Sequence, residues 1–278
     1  MRPKRFSIRF LATALLLSLA LVSLGQSERK LAKEFVAQAS KINIRVTPPS
    51  FLYKYNLKTG ILDSISYKNK REKDSILWIH SKFVQHIVDS VFIRDFTKGY
   101  TTELKKYGLH VLAGNGPDSN TYTVDIAQIE LEEQYYFFSD TAYYGNDIYV
   151  HHQFLNALDV SFWFSLHGPL VPGKSGKVLF AENLLTDNIN GHFDVDAYTG
   201  NVKYLYRLDS LTVKKIYTYA QNLGRTYAGY TFDYLLNRFL DKNISASHRT
   251  KHYWRYDPYR RKFFPALDDR FVPLQNNH

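Results

Sequence analysis

From Thr121 to Arg207 apolar and polar residues alternate in stretch after stretch, and that period of two leaves few folds open to the chain. Thr121–Phe138 places Tyr122, Val124 and Ile126 on one face before the apolar parity moves to Ile129 and Leu131, a shift that a bulge near Ala127 explains. Phe154–Leu166 repeats the pattern with Val160, Phe162, Phe164 and Leu166. Shorter strands are predicted at Lys177–Glu182, His192–Asp196 and Val202–Arg207. Consecutive strands joined by turns pair antiparallel.

Helical spacing brackets this block. Ser27 can cap a helix over Glu28–Ala39, and Lys41–Thr47 alternates Ile42, Ile44 and Val46 before Pro48-Pro49 stops it, which predicts a first strand. Asn56–Gly60 has the composition of a tight hairpin turn with Gly60 left-handed. Ile76, Ile79, Phe83, Ile87, Val91 and Phe92 recur at helical spacing over Ile76–Phe96. Gly99 is a candidate break, a second piece runs Tyr100–Tyr107 to a Gly108 cap, and a strand follows at Leu109–Leu112. The stretch AGNGPDSN is a loop, and Ser210 can cap a long helix over Leu211–Leu240. The expected class is α+β, with helices on one face of a mainly antiparallel sheet in a single domain followed by a tail.

The first 25 residues have the form of an export leader. Arg2, Lys4, Arg5 and Arg9 precede the apolar run Phe10–Leu24, and Ser23 and Gly25 suit cleavage before Gln26. That run is shorter than the roughly 20 residues of a spanning helix. The expected organisation is therefore a signal peptide over 1–25, an α+β domain over 26–241 and a basic aromatic tail over 242–278, with no transmembrane span in the mature chain. Export places the protein in a periplasm, at the outer-membrane periphery, or outside the cell. Cysteine is absent, so no disulfide, thiol chemistry or lipobox anchor is available and packing alone must hold the fold. Of the net charge of +10, four units belong to the leader; the remaining excess favours anionic lipid or glycan partners over nucleic acid, which an exported protein seldom meets.

Several patterns suggest chemistry and fail on context. Gly168–Ser175 matches a phosphate-binding loop, yet Pro169 and Pro172 delete two backbone donors and Gly176–Phe180 continues as a strand rather than a helix, so no nucleotide is expected. His192, Asp194 and Asp196 share a strand face, but same-face neighbours lie nearly 7 Å apart, too far for adjacent pairs to share a zinc ion without a bend. Phe193 and Val195 are then expected to face inward. Glu132-Glu133 and Asp268-Asp269 are paired only in sequence, since neighbours on a strand point to opposite faces. No nucleophile elbow is present. No catalytic residue, metal ligand or cofactor is assigned.

The tail is the candidate for binding. Arg249, Lys251, Arg255, Arg260, Arg261 and Lys262 alternate there with Trp254 and other rings, a set that suits an anionic head group or glycan, or alternatively an arm wrapping back over its own sheet. The order of elements over Ile76–Leu240, with a helix before long antiparallel strands and a long closing helix, resembles the transport-auxiliary and lipopolysaccharide-assembly lipoproteins of diderm bacterial envelopes, without their lipidated cysteine. The resemblance implies a non-catalytic accessory or docking component that meets an envelope protein complex or an anionic lipid. The competing readings are a periplasmic enzyme acting on cell-wall or glycan material, recognisable by two close carboxylates in a cleft, and a glycan-binding module, recognisable by exposed coplanar rings along one sheet face.

Overall fold

The computed structural model describes residues 28–113, 120–171, 173, 176–250 and 252–272; the expected leader lies outside them. The class is α+β. The main sheet is formed by β1 (Asn43–Thr47), β2 (Tyr53–Asn56), β3 (His110–Leu112), β4 (Thr121–Tyr144), β5 (Asp147–His167) and β6 (Lys177–Thr186). Its order is β3-β1-β4-β5-β6, with β2 paired to β4 further along the same edge as β1. The long strands β4, β5 and β6 are antiparallel, whereas β1 and β2 run parallel to β4. The β4 register slips between Ile126 and Gln128, where the change of apolar parity places the bulge.

There are four α-helices among the described residues, α1 (residues 28–38), α2 (Lys70–Ile79), α3 (Asp89–Lys106) and α4 (Val213–Asn243); α1, α3 and α4 supply the second layer, while α2 lies beside β2. Rings fill the space between α3, α4 and the sheet. Phe96 stacks on Phe162 at 4.5 Å, Tyr100 on Phe164 at 6.0 Å, and Tyr227 meets Phe162 edge-on at 5.1 Å. All five are essentially inaccessible to water, and burying a ring of this kind contributes about 1.5–3 kcal/mol. The two helices approach closely because Gly99 and Gly224 sit at their crossing: a Cβ on Gly99 would meet the Gln221 carbonyl, and one on Gly224 the Phe96 carbonyl. Gly99 thus lies inside a continuous helix instead of breaking it. Gly108, at φ 90°, ends α3 with two bonds, Gly108 N to the Lys105 carbonyl and Leu109 N to the Leu104 carbonyl.

Two expectations need correction. The apolar spacing over Ile76–Phe96 predicts one helix, but α2 stops at Ile79 and α3 starts at Asp89. The intervening turn is held by a carboxylate from another element: Glu133 of β4 accepts from Ser81 Oγ and from the amides of Lys82, Phe83 and Val84, so these backbone donors leave the helical ladder. The Asn56–Gly60 segment is not a hairpin turn. It leaves β2 and enters a 3-10 helix at Thr59–Ser64; Gly60 is not among the positive-φ glycines, and Asn56 Oδ1 caps the Lys58 amide.

The tail is built into the fold. Its hairpin, β9 (Tyr253–Asp257) with β10 (Lys262–Ala266), packs on α4, Trp254 and Phe271 join the main core, and Val272 donates to Phe180 at the β6 edge. Buried carboxylates fasten it. Glu28 of α1 accepts from Trp254 Nε1 at 2.7 Å and from Thr250 Oγ1 at 2.6 Å, while Asp233 of α4 pairs with Arg270.

Candidate functional site

The expected tail residues fall into two settings. Trp254 is buried, and Arg249 is spent on Glu28, Asp241 and Asn237. Arg255 reaches Asp268. Arg260, Arg261 and Lys262 are exposed together at the β9–β10 turn, where Asp257 accepts the amides of Tyr259 and Arg260 and Arg261 takes a left-handed φ of 52°. Lys251 lies outside the described residues. Among the described tail residues, the exposed cations are thus those of one tight turn, where Arg260 also pairs with Asp257 at 3.7 Å.

The segment with the phosphate-loop pattern leads into β6, with no helix to receive a phosphate. At its start Gly168 has φ 149° and lies against the Tyr122 ring, leaving no room for a side chain. Pro172, Lys174 and Ser175 are outside the described residues. His192 and Asp194 lie on β7 (Asn188–Val195), which pairs with β8 (Val202–Asp209), while Asp196 caps the turn by accepting the amides of Tyr198 and Thr199. Among the described residues, no three His, Asp or Glu side chains are grouped to hold a metal ion.

Glu132 and Glu133 do point to opposite faces. Glu133, fully buried, is also paired with Lys58 at 2.7 Å. Burial opposes its charge, but the bonds from Lys58, Ser81 and the following amides outweigh that and hold its proton affinity below the ordinary carboxylate value. On the outer face of the sheet Glu132 stands opposite Asp159, with Glu130 and Glu182 beside them. Partial burial, reinforced by Glu130 and Asp159 around Glu132 and by Glu182 near Asp159, raises the proton affinity of both. Tyr53 and Tyr55 flank this row on β2.

The largest anomaly is the far half of β4 and β5. Past Glu133 and Leu158 the two strands continue as an arm, and Gln134–Tyr144 extends it by about 35 Å at the usual strand rise. Along the base of the sheet, Ile129, Leu131, Phe162 and Val160 form the face beneath the helices and are buried. On the arm the burial pattern inverts. The other face is now covered: Leu155 and Ala157 are buried, His151 stacks on Tyr204 at 4.0 Å, Tyr204 Oη donates to Asp140, and Tyr144 Oη donates to the Phe193 carbonyl. The cover is the β7–β8 hairpin, whose Phe193 contacts Tyr204 on its inner side. Asp187 sets the crossover, accepting from both the amide and side chain of Asn156 and from the Leu211 amide.

Among the described residues, the face that continues the helix-covered core face therefore runs on largely uncovered, with Lys58 reaching over its base. It carries five cross-strand rows, Tyr135 with Asn156, Phe137 with Phe154, Ser139 with His152, Thr141 with Val150, and Tyr143 with Ile148. Phe137 and Phe154 meet at 5.5 Å, Phe137 stacks on His152 at 5.1 Å, and Tyr135 adjoins Phe154 at 6.2 Å under the Lys58 ammonium. Every large apolar side chain on it is about half exposed or more. Sequence reasoning missed this surface because it placed the strand ends at Phe138 and Phe154; the continued alternation through Tyr144 and from Asp147 was the available signal. No protein-family model matches the chain, and comparison with curated proteins finds no match.

Proposed function

We propose that this protein is an exported, non-catalytic component of a bacterial envelope that works by docking a partner on the uncovered face of its β4–β5 arm. The observation that carries the reading is the inversion of burial along the arm, where a face rich in Tyr, Phe and aliphatic residues emerges from the core and, among the described residues, stays about half exposed or more. Contiguous apolar patches of this size mark interaction sites in soluble proteins. Export is supported by the basic and apolar leader, and among the described residues no helix is long and apolar enough to cross a membrane. Arg260, Arg261 and Lys262 at the β9–β10 turn supply a separate contact for anionic lipid or glycan. The resemblance of the order of elements to transport-auxiliary and lipopolysaccharide-assembly proteins supports the same reading.

The test is a photoreactive benzoyl-phenylalanine placed at Phe137 in cells, with Tyr219 on the exposed side of α4 as control. Adducts at position 137 and none at 219 are expected, in a product recovered from the envelope fraction with Gln26 at its N-terminus. An inert probe at 137 would refute the docking role. The raised proton affinities of Glu132 and Asp159 favour one second reading, a wall- or glycan-cleaving enzyme. Release of soluble sugar from peptidoglycan by the native chain, lost in Glu132→Gln, would establish it instead.

A further inference from the structure

We infer that the occupant of the arm's open face is a second copy of the same chain, packed face to face with its arm reversed; the inference rests on the docking reading above. The area argues first. Tyr135 and Phe137 are each 52% exposed, Phe154 67% and Tyr143 73%. At about 200 Å² per ring, and with Ile148 and Val150 added, they present about 650 Å² of apolar surface. That exceeds the largest patch of an ordinary monomer, roughly 300–600 Å². With the neutral polar rows between them the face approaches the roughly 800 Å² per partner of a stable interface.

Charge argues next. None of the ten residues in the five rows is Lys, Arg, Asp or Glu. The one cation at the face, Lys58 over Tyr135, is nearly buried and already paired with Glu133, so an anionic membrane finds no free cation among these rows, whereas a two-fold copy brings no like charges together. Geometry then fixes the direction. Stacked sheet faces sit about 10 Å apart, and the helical layer lies on this same side of the base of the sheet. Parallel arms would drive the two helical layers into each other, while reversed arms place each body beyond the other's tip. The two-fold axis then lies in the interface at the middle row, Ser139 with His152. Tyr135 of one copy faces Tyr143 of the other, and Phe137 with Phe154 faces Thr141 with Val150. Such a contact is isologous and closes at two copies.

The chain has no cysteine, so single thiols can be introduced without background. The full chain, produced with its own leader, is examined by sedimentation equilibrium between about 1 and 50 μM. A dimer is expected. Phe137→Ser combined with Phe154→Ser counts twice across the axis and should raise the dissociation constant at least about 100-fold, with an unchanged circular dichroism spectrum because both rings are exposed. A short bismaleimide should join two copies through Ser139→Cys and fail through Asn190→Cys, which lies on the outward side of the β7–β8 hairpin. A monomer at 50 μM, or equal cross-linking at both positions, overturns the inference. A monomer whose Phe137 photoprobe still captures another envelope component overturns the second copy alone; a monomer with an inert probe overturns the docking reading as well.

Discussion

Replacing Glu133 by Ala tests whether one carboxylate holds the α2–α3 turn against the sheet. The side chain is 0% exposed and accepts from Lys58 Nζ at 2.7 Å, Ser81 Oγ at 2.7 Å, and the amides of Lys82, Phe83 and Val84 at 2.8, 2.8 and 3.1 Å. Removing it leaves Lys58, itself nearly buried, without its counter-charge and three amides without an acceptor. Breaking a buried pair costs about 3–5 kcal/mol, a large part of the roughly 5–15 kcal/mol by which a domain is stable. At about 2–4 °C per kcal/mol for a chain of this size, the melting temperature should fall by about 6–20 °C. Urea unfolding followed by tryptophan fluorescence gives the value directly, and hydrogen exchange should accelerate at the amides of Lys82, Phe83 and Val84. Glu133→Gln adds a pH signature. The folded carboxyl holds its proton less tightly than the unfolded one, so its contribution is present above about pH 4.5 and lost as pH falls through the folded value. The gap between native chain and variant should narrow in acid. A loss below about 1 kcal/mol for Glu133→Ala, or a gap independent of pH between about 3 and 7, would refute the assignment.

Three further outcomes follow from the same packing. Gly224→Ala should destabilise by about 1–3 kcal/mol by overpacking the α3–α4 crossing, although alanine is the better helix former by about 1 kcal/mol; a more stable variant in a urea melt would show that the helices can part freely. Ending the chain at Leu240 removes the partners of Glu28, Asp233 and Asn237 and the Phe271 ring from the core, so near-ultraviolet circular dichroism should show loss of fixed packing, and a cooperative native-like melt would contradict this. Stability should peak between about pH 4.5 and 5.5. Glu28, Asp89, Glu133 and Asp187 are held below ordinary values because hydrogen bonds overcome the opposing effect of burial, and their contribution disappears in acid. Glu132, Asp159, Asp269 and Asp233 run the other way, all raised chiefly by burial; for Asp233 the Tyr256 amide and Arg270 offset it only in part and the carboxyl is pushed up to about 6, so its contribution is complete below about 3.9 and lost as pH rises through about 6. Asp233→Asn should extend the maximum toward neutral pH in thermal melts; a native maximum at pH 7 or above would refute the balance.

The parts of the fold that were legible are those where local pattern and tertiary environment agree. The parity change at Ala127 announced the bulge because the same face stays buried on both sides of it. Gly108 announced the end of α3 because only a left-handed residue closes that cap. Where a distant group decides, local pattern failed. Ile76, Ile79, Phe83 and Ile87 keep helical spacing across residues 80–88, yet three consecutive amides there, those of Lys82, Phe83 and Val84, belong to Glu133, some 50 residues away. Gly99 carries the composition of a break, and its actual role, letting α4 approach, becomes visible only when Gln221 is in place.

The arm shows why its function was harder to read than its strands. From Tyr135 to Phe138 both parities are aromatic, so alternation there cannot say which side meets the core, which meets a hairpin and which meets nothing. The outcome is decided at Asp187, whose bonds to Asn156 and Leu211 send β7 and β8 across one face of the arm and leave the other open. Phe138, beside the His151 that stacks on Tyr204, thereby falls on the hairpin side, while Phe137 is left for a partner. The tail shows the reverse case: its cations and rings have the composition of a binding segment, but Glu28, Asp233 and Asn237, all remote in sequence, draw Arg249, Trp254 and Arg270 inward. In both places the residue types are common to cores and interfaces, and buried polar side chains from elsewhere in the chain, Asp187 at the arm and Glu28, Asp233 and Asn237 at the tail, determine which use is made of them.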